Sequence, residues 1–102
     1  MSDRDINRLI QAVDDLLRFL KMLPKDITVP EILEEPDGSV ALEWYRWTRY
    51  TFVVSFSGSG NISYAGLYGT DSAHGTERLG AVIQPRILQH LAELYTADIN
   101  ND

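Results

Sequence analysis

Three runs of alternating side chains, separated by turn residues, constrain this chain more than any other feature. Val40, Leu42 and Trp44 alternate with Ala41, Glu43 and Tyr45; Tyr50, Phe52, Val54 and Phe56 with Thr51, Val53 and Ser55; Ile62, Tyr64, Gly66 and Tyr68 with Ser63, Ala65 and Leu67. A period of two sends successive side chains to opposite faces of a strand, so each run predicts a strand with one buried face. Pro36-Asp37-Gly38-Ser39 contains an Asp-Gly pair that favours a hairpin turn, and the preceding EILEEP is short enough for an edge strand. Arg46 to Arg49 is expected to turn the next hairpin, and Ser57-Gly58-Ser59-Gly60-Asn61 the one after it. Consecutive hairpins make an antiparallel meander of three to five strands within residues 30–83. The polar, glycine-rich GTDSAHGTERLG reads as a long loop, with any last strand short and near Glu77 to Val82.

Both ends read as helices. In residues 1–23, Ile6, Leu9, Ile10, Val13, Leu16, Leu17 and Leu20 follow the three-and-four spacing of one buried stripe. Ser2 is placed to cap the first turn, Asp3 and Asp5 suit the N-terminal dipole, Arg18 and Lys21 lie near the other end, and Pro24 stops the helix. Pro85 suits the first turn of a second helix over residues 85–96, with Ile87, Leu88, Leu91, Leu94 and Tyr95 on its apolar side, and ADINND follows as a polar tail. The expected fold class is therefore α+β: an N-terminal helix, an antiparallel meander sheet and a C-terminal helix. Both helices would pack on one sheet face, against Val40, Leu42, Trp44, Phe52, Val54, Phe56, Ile62 and Tyr64. At 102 residues the chain is expected to form a single domain, residues 1–102.

Composition narrows the chemistry. With no cysteine there is no thiolate nucleophile, zinc ribbon, iron–sulfur cluster or disulfide. The apolar segment Ile6–Leu23 is broken by Asp14, Asp15, Arg18 and Lys21, so no membrane span or secretory signal is expected, and a cytoplasmic location follows. The net charge of −6 argues against direct nucleic-acid binding, where phosphates demand cations. That charge is local: Asp26, Glu31, Glu34, Glu35, Asp37 and Glu43 are six acids with no base between residues 26 and 45, whereas the rest of the chain balances nine acids against nine bases.

Catalytic candidates are thin. Asp71, Ser72, His74 and Glu77 fall together in sequence, yet no ordered metal-ligand spacing such as HExxH is present and such residues are common in solvated loops. His90 sits beside apolar Leu88 and Leu91 on the second helix, as a partly buried or surface histidine would rather than a ligand. SGSGN lacks the lysine and following helix of a phosphate loop and reads as a hairpin connection. No enzyme activity, metal or cofactor is expected. The aromatic and arginine-rich run Trp44 to Tyr50 is more informative. Trp44 and Tyr50 suit the core, whereas parity points Tyr45 and Trp47 away from it, where they either pair across the strands with cation-π contacts to Arg46 or Arg49 or form a protein-binding hot spot, which Trp, Tyr and Arg dominate. A platform for stacking single-stranded nucleic acid is the weaker alternative beside so many acids.

Carboxylates on alternate strand residues project about 6.6 Å apart on one side, a spacing comparable with successive nucleic-acid phosphates. Glu31, Glu34, Glu35, Asp37 and Glu43 are therefore candidate charge mimics, with Tyr45 and Trp47 as anchors, for a protein whose basic groove holds DNA or RNA. The bland alternative is that the same acids solvate an edge strand and discourage edge-to-edge pairing.

VPEILEEPDGSVALEW, SFSGSGNISYAGLYG and QPRILQHLAEL resemble a family of small bacterial and prophage proteins with a PDGxxxLEW hairpin, over roughly residues 15 to 95. Longer relatives carry a tryptophan- and glycine-rich N-terminal segment that is missing here, so nothing it does is carried over. The compact acidic form also resembles small phage-encoded anti-CRISPR proteins, inhibitors of the type I-C class. The resemblance implies no catalytic residues. It implies a non-enzymatic inhibitor in the bacterial host cytoplasm, acting as a monomer on a Cas subunit or similar basic groove. An antitoxin-like or other interaction module, docking through the open sheet face with Val53 and Leu67, is the alternative.

Overall fold

The computed structural model describes residues 3–96. In chain order it comprises α1 (Asp3–Met22), β1 (Glu31–Glu34), β2 (Val40–Trp47), β3 (Tyr50–Phe56), β4 (Asn61–Tyr68), β5 (Asp71–Arg78) and α2 (Pro85–Thr96). The strands form one sheet in the order β1-β2-β3-β4-β5, every neighbour antiparallel, which is the expected α+β meander. The cap expected from Ser2 and the tail Ala97–Asp102 lie outside the described residues.

Alternation decides which face is covered. Val40, Leu42 and Trp44 of β2, Tyr50, Phe52, Val54 and Phe56 of β3, and Ile62 and Tyr64 of β4 are buried. They join Ala12, Leu16 and Phe19 of α1 and Ile87, Leu91 and Leu94 of α2 in one core. Phe19 meets Phe56 edge to face at 5.5 Å, and His90 of α2 lies 6.0 Å from Phe52. Because Phe52 and Phe56 share strand parity, both helices lie on the same face. α1 crosses β2 and β3, and α2 crosses β3 and β4. Trp44 serves as a core anchor, its Nε1 donating to Thr28 O at 2.8 Å and so fixing the segment that leads into β1.

Three sequence expectations are corrected. The loop expected over GTDSAHGTERLG is instead the eight-residue strand β5. Its partners explain the weak pattern: the helix side of β5 carries Ala73 and Gly75 opposite Gly66 and Tyr64. A Cβ built at Gly75 would stand 2.5 Å from Tyr64 Oη, so a ring from the neighbouring strand supplies the bulk that a side chain there would. An edge strand covered in this way needs no apolar alternation of its own.

The second correction concerns the turn expected at Arg46 to Arg49. β2 continues to Trp47, Thr48-Arg49 makes the turn with Arg49 at φ 66°, and the register shifts between Tyr45 and Trp47. The extra residue is Arg46, whose Nη1 donates to Leu94 O at 2.9 Å near the C-terminal end of α2, where a cation is favoured. The bulge reverses the parity of the last residue. Trp47 stands opposite Tyr50 and shares its side of the sheet, while Tyr45 stays on the other side.

The third correction is the rotation of α1. Its buried residues are Ala12, Asp15, Leu16 and Phe19, whereas Ile6, Ile10, Val13 and Leu17, four members of the expected stripe, are exposed. The connection between β3 and β4 contributes to this setting. Gly58, at φ 87°, has no side chain to collide with α1, and a Cβ there would lie 2.6 Å from Arg8 O and 3.3 Å from Ala12 N. α2 behaves as expected, with Ile87, Leu91 and Leu94 buried and Leu88 and Tyr95 packed at the margin.

Candidate functional site: the uncovered face of the sheet

Among the described residues no helix covers the second face of the sheet. Antiparallel partners share a face, so the registers line its side chains into rows. One row runs Glu31, Glu43, Val53, Ala65, His74; a second runs Leu33, Ala41, Ser55, Ser63, Thr76; a third runs Tyr45, Thr51, Leu67, Ser72. Most of these side chains are small, and the centre is apolar. Val53, Ala65 and Leu67, flanked by Thr51 and His74, floor a shallow depression of about 300 Å³. Tyr45 and Leu67 are exposed large side chains on this face.

The acidic edge divides once the register is known. Glu31 and Glu43 are direct cross-strand partners on the uncovered face. Like charges in that position repel and destabilise a ladder, and among the described residues no lysine, arginine or histidine forms an ion pair with either. Both line a hollow of about 300 Å³ that also includes Thr28, Val29 and Tyr45. There β1 ends, since it pairs only with Val40–Glu43, and no described strand flanks Tyr45 on that side. Glu34 stands opposite Val40, on the helix side.

Glu35 and Asp37 have local work in the β1–β2 turn. The Ser39 hydroxyl lies 2.6 Å from Asp37 Oδ1 and 3.0 Å from Glu35 Oε1, its single proton serving both, and Ser39 N donates to Asp37 Oδ1 at 3.0 Å. The Ser39 hydroxyl first and its backbone N–H second hold the Asp37 carboxyl below the usual carboxylate range, so its negative charge persists in mild acid. Backbone bonds from Glu35 N to Ser39 O (2.9 Å) and from Gly38 N to Glu35 O (3.0 Å) complete the turn.

Of the seven residues singled out by sequence, the structure therefore brings Glu31, Glu43 and Tyr45 together on one open face. Glu35 and Asp37 lie at the turn beyond them, and Glu34 and Trp47 lie on the helix side. The catalytic candidates Asp71, Ser72, His74 and Glu77 are split in the same way. Ser72 and His74 point to the uncovered face, while Asp71 and Glu77 are opposite Tyr68 and Ile62 on the helix side. Among the described residues no three His, Asp or Glu side chains are grouped to hold a metal ion, and no helix is long and apolar enough to cross a membrane.

One cluster escaped the sequence reading. His90 lies 5.3 Å from Tyr64 and stacks on Tyr68 at 6.1 Å, beside Phe52. Its Nδ1 is 3.7 Å from Glu93 Oε2, and neither Nδ1 nor Tyr68 Oη has a hydrogen-bond partner within the described protein. Burial first, and the Glu93 charge second, raise the Tyr68 phenol well above its ordinary value. The packing of this cluster explains its positions, and its exposure is too small for a binding surface. No protein-family model, curated protein or solved structure matches this chain.

Proposed function

We propose that the protein is a non-enzymatic binding protein whose uncovered sheet face and acidic edge dock on a basic protein surface of the kind that otherwise holds nucleic acid. The observation that carries this reading is the Glu31–Glu43 pair: two carboxylates held side by side on an open face with, among the described residues, no cation paired to either. An arrangement that costs stability in the free chain becomes favourable when a partner supplies lysine or arginine. Tyr45 beside them offers an aromatic anchor at low entropic cost, and the small residues further along let a partner approach the sheet closely. Asp37 and Glu35 extend the negative field at the turn. The sequence resemblance makes an effector complex of bacterial CRISPR defence, of the type I-C class, the first partner to test. Blocking its DNA-binding groove would be the means of inhibition.

The test is capture of purified type I-C effector complex by the tagged protein at low and high salt, with target DNA as competitor. Capture that falls with salt and competes with DNA, and that is lost in a folded Glu31→Lys/Glu43→Lys variant, is expected. Retained capture in that variant would overturn the charge mechanism. A second reading rests on the apolar depression at Val53 and Leu67, which suits an interaction module of antitoxin type. Its signature is binding that is weakly salt-dependent and abolished by Val53→Asp.

A further inference from the structure

We propose that the exposed flank of α1 is a self-association surface, on which a second copy of the chain lays its own α1 antiparallel. Ile6, Ile10, Val13 and Leu17 are 41%, 61%, 39% and 45% exposed. Their spacing of four, three and four residues is that of a helix–helix seam, and Leu20, partly buried, continues it. The exposure is set by the packing of the helix. To leave these four in water, α1 buries Asp15 to 2% and must satisfy it with Gln11 Nε2 at 2.9 Å and Arg18 at 3.7 Å. A chain held by hydrophobic burial alone would turn the aliphatic side chains inward and the carboxylate out. Phe19 on Phe56, and Gly58 against the backbone of Arg8 and Ala12, fix the helix in its present rotation.

The flank can be placed on the molecule. Leu9 lines the hollow of about 630 Å³ between α1 and the β1–β2 turn, whereas Gln11 faces the β3–β4 connection at Gly58. Successive residues turn by about 100°, which puts the exposed stripe beyond Leu9 and away from Gln11, on the β1 side. Ile32, on the helix side of β1, is uncovered there at 61%. A helix laid along this flank would therefore cover Ile32 as well.

Charge selects the occupant and its direction. The N-terminal end of α1 carries Asp3 and Asp5 against Arg4 and Arg8 but adjoins Glu34, Glu35 and Asp37 across the hollow and is acidic on balance, while Arg18, Lys21 and Lys25 against Asp26 leave the far end basic. A parallel copy would set acid on acid and base on base. An antiparallel copy sets each acidic end against the other's basic end, twice, and also opposes the helix dipoles. The surface is thus self-complementary about a two-fold axis, as an isologous dimer requires. The four aliphatic side chains expose roughly 350 Å² per copy, the size of patch that marks an interaction site. With their charged borders, two copies would bury on the order of 1,000 Å², the lower limit for a specific interface, so the dimer is weak. This surface is on the helix side and does not depend on the use proposed for the uncovered face.

Light scattering and sedimentation from about 5 to 500 µM test the proposal. The expected mass rises from 11.5 kDa towards twice that value with concentration, and Ile10→Asp shifts the midpoint at least tenfold higher while leaving the circular dichroism unchanged. Ile10 is exposed, so this variant folds. Direction is read by engineered cysteines in a chain that has none of its own. A mixture of Asp3→Cys and Lys21→Cys proteins should cross-link to each other several-fold more than either does to itself. A monomer at every concentration, a dimer indifferent to Ile10→Asp, or preferential self-cross-linking would each overturn the proposal.

Discussion

The two faces of the sheet are made by the same strands and built on opposite principles. On the helix side the rows Val40–Phe56–Ile62 and Leu42–Val54–Tyr64 are large, buried and interlocked with two helices. On the other side, Ser55–Ser63 and Val53–Ala65 present small side chains beside the buried Ala41, with charge gathered at one edge. One face is specified by shape, because a core at crystalline density tolerates little change of volume. The other is left to be specified by a partner, because no described helix packs on it. A domain this small can leave one sheet face open only if the covered face supplies nearly all the burial.

The sharpest way to break this contrast is a pair of adjacent truncations. Phe52→Ala, from the helix side, should cost about 3–5 kcal/mol, whereas Val53→Ala on the open face should cost less than about 1 kcal/mol in urea unfolding. Comparable losses would show that both faces carry the fold. Next in size is the attachment of α1. Gly58→Ala must strain a left-handed backbone and also press on Arg8 and Ala12, and a loss of about 2–3 kcal/mol is expected. Gly60→Ala has the same φ of 87° and open space around it, so it should lose only about 1 kcal/mol.

A smaller effect distinguishes the faces by pH. The folded state holds the Tyr68 proton above pH 10.0, near which the phenol of the unfolded chain releases it. Above that pH the unfolded state binds fewer protons, so stability falls as pH rises, by at most about 1.4 kcal/mol per pH unit. Tyr68→Phe should remove most of this alkaline slope in thermal melts between about pH 10 and 12. Smallest is relief of the paired carboxylates. Glu43→Gln should raise stability by about 0.3–0.5 kcal/mol at low salt, a gain that vanishes at high salt while partner capture weakens.

The meander and α2 were legible because their signals are local: an Asp-Gly turn, a glycine connection, a proline-led stripe. β5 was not, since its small helix-side residues make sense only beneath the ring of Tyr64, which another strand supplies. The orientation of α1 was hidden for a different reason. Its apolar residues cover about half the helix circumference, and periodicity defines such an arc without saying which part of it meets the sheet. One inserted residue at Arg46 sufficed to misplace Trp47. As for the candidate site, the excess of acid was plain in the composition. Its division between the open face, the turn and the helix side required the register, which follows from counting outward from the turn through Glu34–Val40 to Glu31–Glu43.

The strand order repeats the chain order without a crossover. Every ladder therefore closes over a short turn, and the entropy lost in each closure is small. Among sheet proteins such a topology has low contact order, and folding should be fast, with hairpins zipping from their turns and the long-range step reserved for docking α1 from one end of the chain and α2 from the other. Slow refolding, where it occurs, should be traceable to the helices.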